Sequence, residues 1–280
     1  MRIIVTGASG FVGSALSDAL RRAGHDVIPW TRAQADLTRP FEFPEADLVY
    51  HMGANAKVFV ARQDPSLDLT VNALGTLHTL QACERAGIRT LVYASSALVY
   101  ENCWEPTEDS RTGYNAYGGA YGISKLAGEL YIRHWAAQHP GRRHVIFRLS
   151  NPYGPGMRKN IIFDALEQFR SSERIILRAA PEATTDFLHI HDVVAGMLLA
   201  LHPSFQGIYN LSSDRAASTR EIVAILSNLF GRSLPTTYGE ITLRIKIPNA
   251  KLRAAGWTPA YDLESGLRQT IRSATTATTP

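Results

Sequence analysis

The chain has 280 residues, of which 45% are hydrophobic and 19% charged, and its net charge is +4. This composition is typical of a globular protein with one large α/β domain, or with a core domain and a smaller lobe, and it excludes a mostly disordered chain. No stretch approaches the ~20 apolar residues of a membrane span, and the basic residues are too dispersed for nucleic-acid binding. With only Cys83 and Cys103, the chain fits a reducing compartment, so we expect a cytoplasmic protein with neither membrane nor nucleic acid as a partner.

The first half of the chain alternates short β-branched runs with longer helical patterns. Strands are predicted at "RIIVT", "DVIPW", "DLVYH", "TLVYAS" and "HVIFRL", and helices at 11–23, about 66–86 and about 117–138. Such alternation predicts parallel strands joined by crossover helices. Residues 1–150 are therefore predicted to form a doubly wound parallel sheet of the α/β class.

After Asn151 the pattern loosens, because prolines interrupt it and helices near 161–170, 191–202 and 218–230 are separated by irregular stretches. Residues 151–272 are predicted to be mainly a smaller substrate-binding lobe, with parts of 187–210 returning to the core. The small and polar residues 273–280 are predicted to form a flexible tail. Ligands of open α/β sheets bind beyond the carboxyl ends of the strands, so we expect the site between core and lobe.

A glycine-rich segment, "VTGASGFVGSAL", follows the first predicted strand and opens the first predicted helix. Gly7, Gly10 and Gly13 are spaced by three residues, and Phe11 and Val12 lie between the last two. Glycine permits a tight turn and lets backbone N–H groups approach a pyrophosphate. A purely structural turn is the alternative, but the position between strand and helix favours a dinucleotide site and a Rossmann core.

The segment "AYGISK" places Tyr121 four residues before Lys125. None of the other ten tyrosines has a lysine at this spacing. The simplest interpretation is a surface pair on a helix, worth a few tenths of a kcal/mol.

Several motifs occur together in one order along nearly the whole chain. They are "TGASGFVG", "HMGANA", "VNALGTLHTLQAC", "LVYASSALVY", "YGISK", "RLSNPYGPG", "DFLHIHDVV" and "KLRAAGWTPAYDLESGLRQTI". In this order the chain resembles the extended short-chain dehydrogenase/reductase family, which includes nucleotide-sugar epimerases and dehydratases. The resemblance implies that Tyr121 and Lys125 are the catalytic tyrosine and lysine.

Hydride transfer at a sugar carbon requires a proton to enter or leave the oxygen on that carbon. A free tyrosine has a pKa near ~10. An ammonium one helical turn away, together with the positively charged oxidised nicotinamide ring, is expected to lower the pKa of Tyr121. By the resemblance, Lys125 would also hold the nicotinamide ribose, and Ser96 would hydrogen-bond the same substrate oxygen. Ser95 is the neighbour most easily confused with Ser96, and a serine that only closes the strand is the alternative for Ser96.

The end of the second predicted strand bears on the cofactor. Relatives that use NAD have an aspartate there, whereas this chain has Thr31 followed by Arg32, which suits a 2′-phosphate. NADP is therefore predicted, with NAD as the alternative. The resemblance also implies that further residues line the cofactor, although packing at strand ends could explain them equally: Asp36, Leu37, Met52, Gly53, Ala54 and Asn72.

The residues after Ser96 restrict the reaction. Dehydratases of the family carry Asp-Glu there and the related decarboxylases a glutamate, but this chain has Ala97 and Leu98. Ketone reduction and epimerisation both remain open. NADP favours reduction, and the resemblance favours epimerisation.

The substrate side is less complete. Asn151 matches a substrate-binding asparagine and supports a nucleotide sugar, but Thr185 stands where relatives have an arginine for the pyrophosphate. Arg178 or Arg244 could substitute for it. A reductase of a small non-nucleotide ketone and a non-catalytic dinucleotide-binding protein are the two alternatives.

Two further expectations concern metals and assembly. The "HIHD" segment at 189–192 lacks a completing cluster, so no metal site is predicted and Asp192 is expected near a helix start. The helices at about 66–86 and 117–138 are expected to pair, and the resemblance implies a homodimer formed through them.

Overall fold

The computed structural model of the protein describes residues 1–56 and 63–276. The strands in these ranges are β1 (Arg2–Thr6), β2 (Asp26–Trp30), β3 (Leu48–His51), β4 (Thr90–Ser96), β5 (Arg143–Leu149), β6 (Asn151–Tyr153), β7 (Ile175–Ala179), β8 (Thr184–His189), β9 (Gly207–Leu211), β10 (Ala216–Ser218) and β11 (Thr236–Ile241). The helices are α1 (Phe11–Arg22), α2 (Pro65–Asp68), α3 (Gly75–Arg85), α4 (Gly119–Ala137), α5 (Ile161–Ser171), α6 (Ile190–Leu198), α7 (Thr219–Phe230), α8 (Ala250–Ala254) and α9 (Leu263–Thr276). A π-helical segment, Leu69–Leu74, joins α2 to α3 without a break. None of the helices in these ranges is both long and apolar enough to cross a membrane.

The central sheet has six strands in the order β2-β1-β3-β4-β5-β9, all parallel. The predicted doubly wound α/β sheet is thus confirmed. The strand order reverses between β1 and β3, which stay paired as far as Thr6 and His51 at their carboxyl ends. Ligands of such folds bind at this switch point.

Alternating side chains of the strands fill one core on each face of the sheet. On β1, Ile3 and Val5 join the cluster beneath α1 and α6, whereas Ile4 joins the cluster beneath α3 and α4. Strands buried on both faces read as continuous apolar runs, which explains "RIIV" at the start of the chain. The second core includes Trp135 of α4 and Leu80 of α3.

The C-terminal half contributes to both the sheet and a separate lobe. Strand β9 is the last strand of the central sheet, and Val193 and Met197 of α6 lie in its core with Trp257. The lobe contains the sheet β10-β8-β6, the pair β11-β7 and the helices α5 and α7, around its own cluster that includes Phe169 and Leu226.

The end of the chain differs from expectation. Helix α9 runs through Thr276, so the prediction of a flexible tail from residue 273 is wrong for residues 273–276, and residues 277–280 lie outside the described ranges. Leu263 and Leu267 anchor this helix in the lobe core, and Ser273 continues it by donating its hydroxyl to the carbonyl of Gln269. Adding residues to a formed helix is easier than nucleating one, which accounts for the extension.

Candidate active site

The glycine segment forms a tight turn between β1 and α1. Gly7 has a φ of +66°, and its N–H donates to the carbonyl oxygen of Trp30 at 2.9 Å. A Cβ atom on Gly13 would lie 2.2 Å from the Gly7 oxygen, and one on Gly7 would lie 2.7 Å from the Cα of Gly53. Helix α1 begins after Gly10, which has no side chain to cap it. The Gly10 position therefore offers no acceptor to the N–H groups of the first turn, at Phe11 and Val12. Such a turn can accommodate a pyrophosphate.

The segment after β2 carries the residues predicted to select the cofactor. The Thr31 hydroxyl donates to Oε1 of Gln34 at 2.6 Å, and the Thr31 N–H donates to the same oxygen at 2.9 Å. Arg32 is exposed beside Asp36, whose pKa is lowered mainly by a hydrogen bond from the Thr38 N–H and further by the Arg32 charge. Thr31 is therefore fixed, while the Arg32 side chain lies at the rim of the site.

The predicted lining residues gather at the end of β3. The Gly53 N–H donates to Oγ1 of Thr6 at 3.1 Å, and a Cβ on Gly53 would lie 2.7 Å from a methyl carbon of Leu37. Met52 and Ala54, on either side of Gly53, are both partly buried. The Asn72 side chain accepts the N–H of Asn55 at 2.8 Å. Packing thus explains Leu37 and Asn72 in part, in line with the alternative considered for them.

Ser96, Tyr121 and Lys125 meet beside this edge. Ser96 is the last residue of β4, and its hydroxyl is hydrogen-bonded to the Tyr121 side chain and accepts the Leu98 N–H at 3.2 Å. Helix α4 can approach so closely because it has glycine at 122, where a Cβ would lie only 2.4 Å from the Leu98 oxygen. Lys125 lies one turn further along the helix and is 2% exposed.

The neighbouring Ser95 has a different role. Its hydroxyl donates to Oε1 of Glu129, and Glu129 pairs with Arg148 at 2.7 Å. The exposed fractions of these two charged side chains are 1% and 4%. The choice of Ser96 over Ser95 is therefore consistent with the geometry, because Ser95 is engaged beneath the site.

The electrostatics of Tyr121 differ from the sequence prediction. Burial raises the pKa of Tyr121 to about 12, although the hydrogen bond with Ser96 acts in the opposite direction; the charge of Asp68 raises it further. In the protein alone the pKa of Tyr121 is thus raised, whereas the prediction of a lowered pKa combined the charge of Lys125 with that of an oxidised nicotinamide ring. The reason is desolvation, which opposes phenolate formation and which the spacing of Tyr and Lys does not reveal.

Lys125 itself is strongly affected by burial. Its pKa is lowered to about 7 by desolvation, and the charges of Glu129 and Asp68 offset this in part. The Nζ atom lies 4.1 Å from the centroid of the Tyr93 ring. Lys125 therefore changes charge near neutral pH.

The substrate-side residues are more dispersed. Asn151 begins β6 and is partly buried, whereas Arg178 is exposed on β7, in the outer pair β7-β11. Arg244 stacks on Trp104 at 4.1 Å from its ring centroid and lines a cleft of about 160 Å³ together with Tyr117. Tyr117, like Tyr121, packs against the cluster of Ala97, Leu98, Cys103, Ile245 and Ile247. Of the two arginines, Arg244 thus lies on the side of Tyr121.

The "HIHD" segment starts helix α6. His189 caps this helix by accepting the N–H of His191, and the Asp192 carboxylate accepts the N–H groups of Ala260 and Tyr261. Asp192 lies in the first turn of α6, but its carboxylate binds the backbone that follows α8 and does not cap α6. Throughout residues 1–56 and 63–276 no group of three His, Cys, Asp or Glu side chains is arranged to hold a metal ion.

Three buried charged residues of this region were not predicted: Asp68, Glu129 and Arg148. Glu129 follows Lys125 at the same four-residue spacing that joins Tyr121 to Lys125, so the pattern Tyr-x₃-Lys-x₃-Glu on one helix face was a usable signal. Asp68 offered no comparable signal.

A parallel doubly wound sheet, with a glycine turn at its switch point and a Ser-Tyr-Lys group at the same edge, defines the short-chain dehydrogenase/reductase class of dinucleotide-binding enzymes. Residues 3–212 match the model of the NAD dependent epimerase/dehydratase family, and the chain belongs to this family. The predicted resemblance to the extended short-chain dehydrogenase/reductase family is confirmed.

Individual relatives cover almost the entire chain. GDP-6-deoxy-D-mannose reductase of Pseudomonas aeruginosa is 29% identical over 95% of this chain and 95% of its own. UDP-glucose 4-epimerase of Thermus thermophilus, solved with NAD, has a TM-score of 0.84 at 26% identity and covers 97% of this chain and 98% of its own. The structure of RMD from Pseudomonas aeruginosa with NADPH has a TM-score of 0.86 at 29% identity and covers 97% of this chain and 99% of its own. UDP-glucuronic acid decarboxylases also occur among the relatives.

Proposed function

We propose that the protein is an NAD(P)-dependent oxidoreductase or epimerase that acts on a hydroxyl or keto group of a nucleotide-diphosphate sugar. The observation that carries the proposal is the group of buried Ser96, partly buried Tyr121 and buried Lys125 at the edge of the sheet that carries the glycine turn. Similarity to a nucleotide-sugar reductase and a nucleotide-sugar epimerase supports the substrate class.

The glycine turn would suit a dinucleotide, because Gly7 and Gly13 let β1, the end of β3 and the start of α1 pack closely, and α1 begins without a side-chain cap. The turn would hold the pyrophosphate, and Lys125 would hold the nicotinamide ribose. A bound nicotinamide supplies or accepts the hydride. The chain itself supplies the proton: the Tyr121 hydroxyl would donate it to the substrate oxygen while Ser96 hydrogen-bonds the same oxygen.

Ketone reduction is the reaction that the electrostatics favour. A phenol with a pKa of about 12 is protonated at neutral pH and is ready to donate a proton to a carbonyl oxygen as it becomes an alcohol. Epimerisation needs the same group to act as a base as well. Decarboxylases occur among the relatives, so dehydration and decarboxylation need a separate argument. It comes from Ala97 and Leu98, which are buried and carry no acidic side chain at the positions where dehydratases and decarboxylases have one.

NADP is the proposed cofactor, since Thr31 and Arg32 provide a hydroxyl and a guanidinium where an acidic ribose ligand would repel a 2′-phosphate. Relatives do not decide the question, because one is solved with NAD and another with NADPH.

The second candidate is reduction of a small ketone that carries no nucleotide. Thr185 favours it, since no arginine stands there for a pyrophosphate. We place Arg244 in that role instead, because it lies in the cleft that contains Tyr117.

A homodimer is the proposed assembly. Helices α3 and α4 pack together on one face of the sheet, and this region exposes large apolar side chains at Leu69 (65%), Ile123 (52%), Leu130 (53%) and Tyr131 (44%). A second copy would cover this face by a two-fold arrangement.

The test is a comparison of substrates. The purified protein is incubated with NADPH and a nucleotide-linked 4-keto sugar, the corresponding nucleotide sugar, or a small ketone of similar polarity. Oxidation of NADPH by the nucleotide-linked ketone alone supports the proposal, and inversion of the sugar without net oxidation identifies an epimerase. Turnover of the small ketone only, or of none of the substrates despite cofactor binding, would contradict it.

A further inference from the structure

Asp68 is a buried carboxyl group at the junction of α2 and the π-helical segment. Its exposed fraction is 0%, and its Oδ1 atom accepts the side-chain N–H groups of Asn55 at 2.8 Å and Asn72 at 3.2 Å. Within the described ranges, its other oxygen, Oδ2, is buried without a hydrogen-bond partner. An unpaired buried carboxylate oxygen is costly, so a nearby charge or a function is expected to compensate for it.

The hydrogen bonds around Asp68 lead directly to the catalytic helix. The Asn72 amide that donates to Asp68 also donates to the hydroxyl of Ser124 at 3.0 Å, and Ser124 donates to the carbonyl oxygen of Tyr121 at 2.8 Å. Ser124 immediately precedes Lys125. The carboxyl of Asp68 is therefore fixed against the turn of α4 that contains both Tyr121 and Lys125. A π-helical segment such as Leu69–Leu74 is often found at functional sites.

The groups that face Lys125 come from four elements. His51 on β3 has its pKa lowered to about 3 by burial and so is neutral; it lies between the hydroxyls of Thr6 and Thr76. Tyr93 on β4 presents its ring. Tyr121 and Glu129 lie one turn before and one turn after Lys125 on α4. Asp68 faces it from α2.

Two of these groups are carboxyl groups whose charges raise the pKa of Lys125, Glu129 more strongly than Asp68, and they are not equivalent. Glu129 is already paired with Arg148 from β5 at 2.7 Å, so the two charges largely cancel at a distance. Within the described ranges, Asp68 accepts hydrogen bonds from two neutral amides and from no cation. Burial raises the pKa of its carboxyl group, and the charge of Lys125 lowers that pKa in turn. Unlike Glu129, Asp68 therefore acts on Lys125 without a hydrogen-bonded arginine of its own in the described part of the chain.

We propose that Asp68 is a positioning residue that keeps Lys125 in its charged form within the buried site. It acts through Lys125 and touches neither the reacting oxygen nor the hydride. Removing the carboxylate charge would favour neutral Lys125, because the ammonium would lose a nearby counter-charge. The sign is therefore fixed: without Asp68 the pKa of Lys125 falls, and the ammonium is lost at a lower pH.

The test is an NMR titration that measures the pKa of Lys125. The chain has five lysines, so selective isotope labelling of lysine side chains gives few NMR signals, and Lys125→Met assigns the one from Lys125. Asp68→Asn is isosteric and keeps an oxygen for the two amide donors. Asp64→Asn, an exposed carboxylate four residues earlier, is the matched control for the change in net charge.

We expect Asp68→Asn to lower the pKa of Lys125 by roughly one pH unit or more, the effect of an opposite charge at close range. Asp64→Asn should change it by less than about a third of that amount. An unchanged or raised pKa in Asp68→Asn, or equal changes in the two variants, would overturn the proposal. If Asp68→Asn does not fold, the reciprocal measurement decides: Lys125→Met must raise the pKa of the Asp68 carboxyl, and an unchanged value overturns it.

A second readout is the pH dependence of NADPH affinity. It rests on the proposed function, and it can fail independently of the NMR titration. The pH at which NADPH affinity is half lost should fall in Asp68→Asn by the same amount as the pKa of Lys125. In a Lys125→Met background, Asp68→Asn should have no further effect on that pH profile. Absence of NADPH binding by the parent would refute the proposed cofactor, while the NMR titration would still decide the role of Asp68.

Discussion

Replacing Tyr121 by phenylalanine removes one hydroxyl and leaves the ring. The ring packs against the cluster that includes Leu98 and Ile245, so this contact survives the substitution. What is lost is the hydrogen bond with Ser96, worth about 1 kcal/mol of folding free energy. The fold and cofactor binding should therefore be nearly unchanged.

The effect on catalysis should be much larger. With the pKa of Tyr121 at about 12, the phenol exceeds the phenolate by roughly 10⁵ at pH 7, so the group is available as a proton donor over the working range. Loss of a positioned proton donor costs roughly 10²–10⁴ in rate, or about 2.7–5.5 kcal/mol in the activation free energy.

The assay is the initial rate of NADPH oxidation with the accepted substrate, beside a urea titration of each variant. Tyr114→Phe, at a side chain that is 68% exposed, is the matched control and should behave like the parent. Near-parental turnover by Tyr121→Phe would refute the role given to Tyr121 and would return the pair to a structural interpretation. A loss of stability well above 1 kcal/mol would show that the loss of rate reflects misfolding.

Two companion variants separate the roles of the neighbouring groups. Lys125→Met should lower the rate and also weaken NADPH binding, because the same ammonium would hold the ribose. Ser96→Ala should be milder, because a hydrogen bond is lost while the proton donor remains. If all three variants showed parental kinetics, the site would lie elsewhere.

Three further predictions address the cofactor, stability and assembly. Arg32→Ala should remove most of a preference for NADPH over NADH in a fluorescence titration, and tighter NADH binding by the parent would contradict the cofactor assignment. Glu129→Gln should cost roughly 3–5 kcal/mol in urea denaturation, because it leaves the buried arginine unpaired, whereas Glu84→Gln, at a side chain that is 52% exposed, should cost less than about 1 kcal/mol. Ile123→Glu with Leu130→Glu should convert a dimer to a monomer in sedimentation, and a parent that is monomeric at micromolar concentration would exclude the interface.

The fold was predictable because its signals are local and repeated. Apolar strands such as "RIIVT" are separated from helical patterns by glycine or turn residues, and the glycine spacing identifies the first strand-helix junction. Tyr121, Lys125 and Ser96 were predictable for a different reason, since they follow the motif order of the family. The geometry agrees with bringing them together at the end of β4.

The shifted pKa values and the role of Asp68 were not predicted, because they depend on which side chains are buried. The spacing of Tyr121 and Lys125 predicted a lowered tyrosine pKa, but desolvation of both groups reverses that expectation. Asp68 looked like an ordinary helix residue near an exposed Asp64, because a single sequence does not show which of two carboxylates faces the interior. The end of α9 was underestimated because small, polar residues there extend a helix that is anchored elsewhere.

Helix α4 combines catalysis and stability through one repeated spacing. Tyr121, Lys125 and Glu129 follow each other by four residues, and the first reaches Ser96 while the last reaches Ser95, the adjacent residue of β4. The buried pair of Glu129 and its arginine thus fixes the helix against the same strand end that presents the hydroxyl of Ser96. Because an unpaired buried charge would disturb that contact, a change at Glu129 should affect both the stability of the protein and the placement of Tyr121. Ser95 is accordingly a structural neighbour of the site, and the two adjacent serines divide the two tasks.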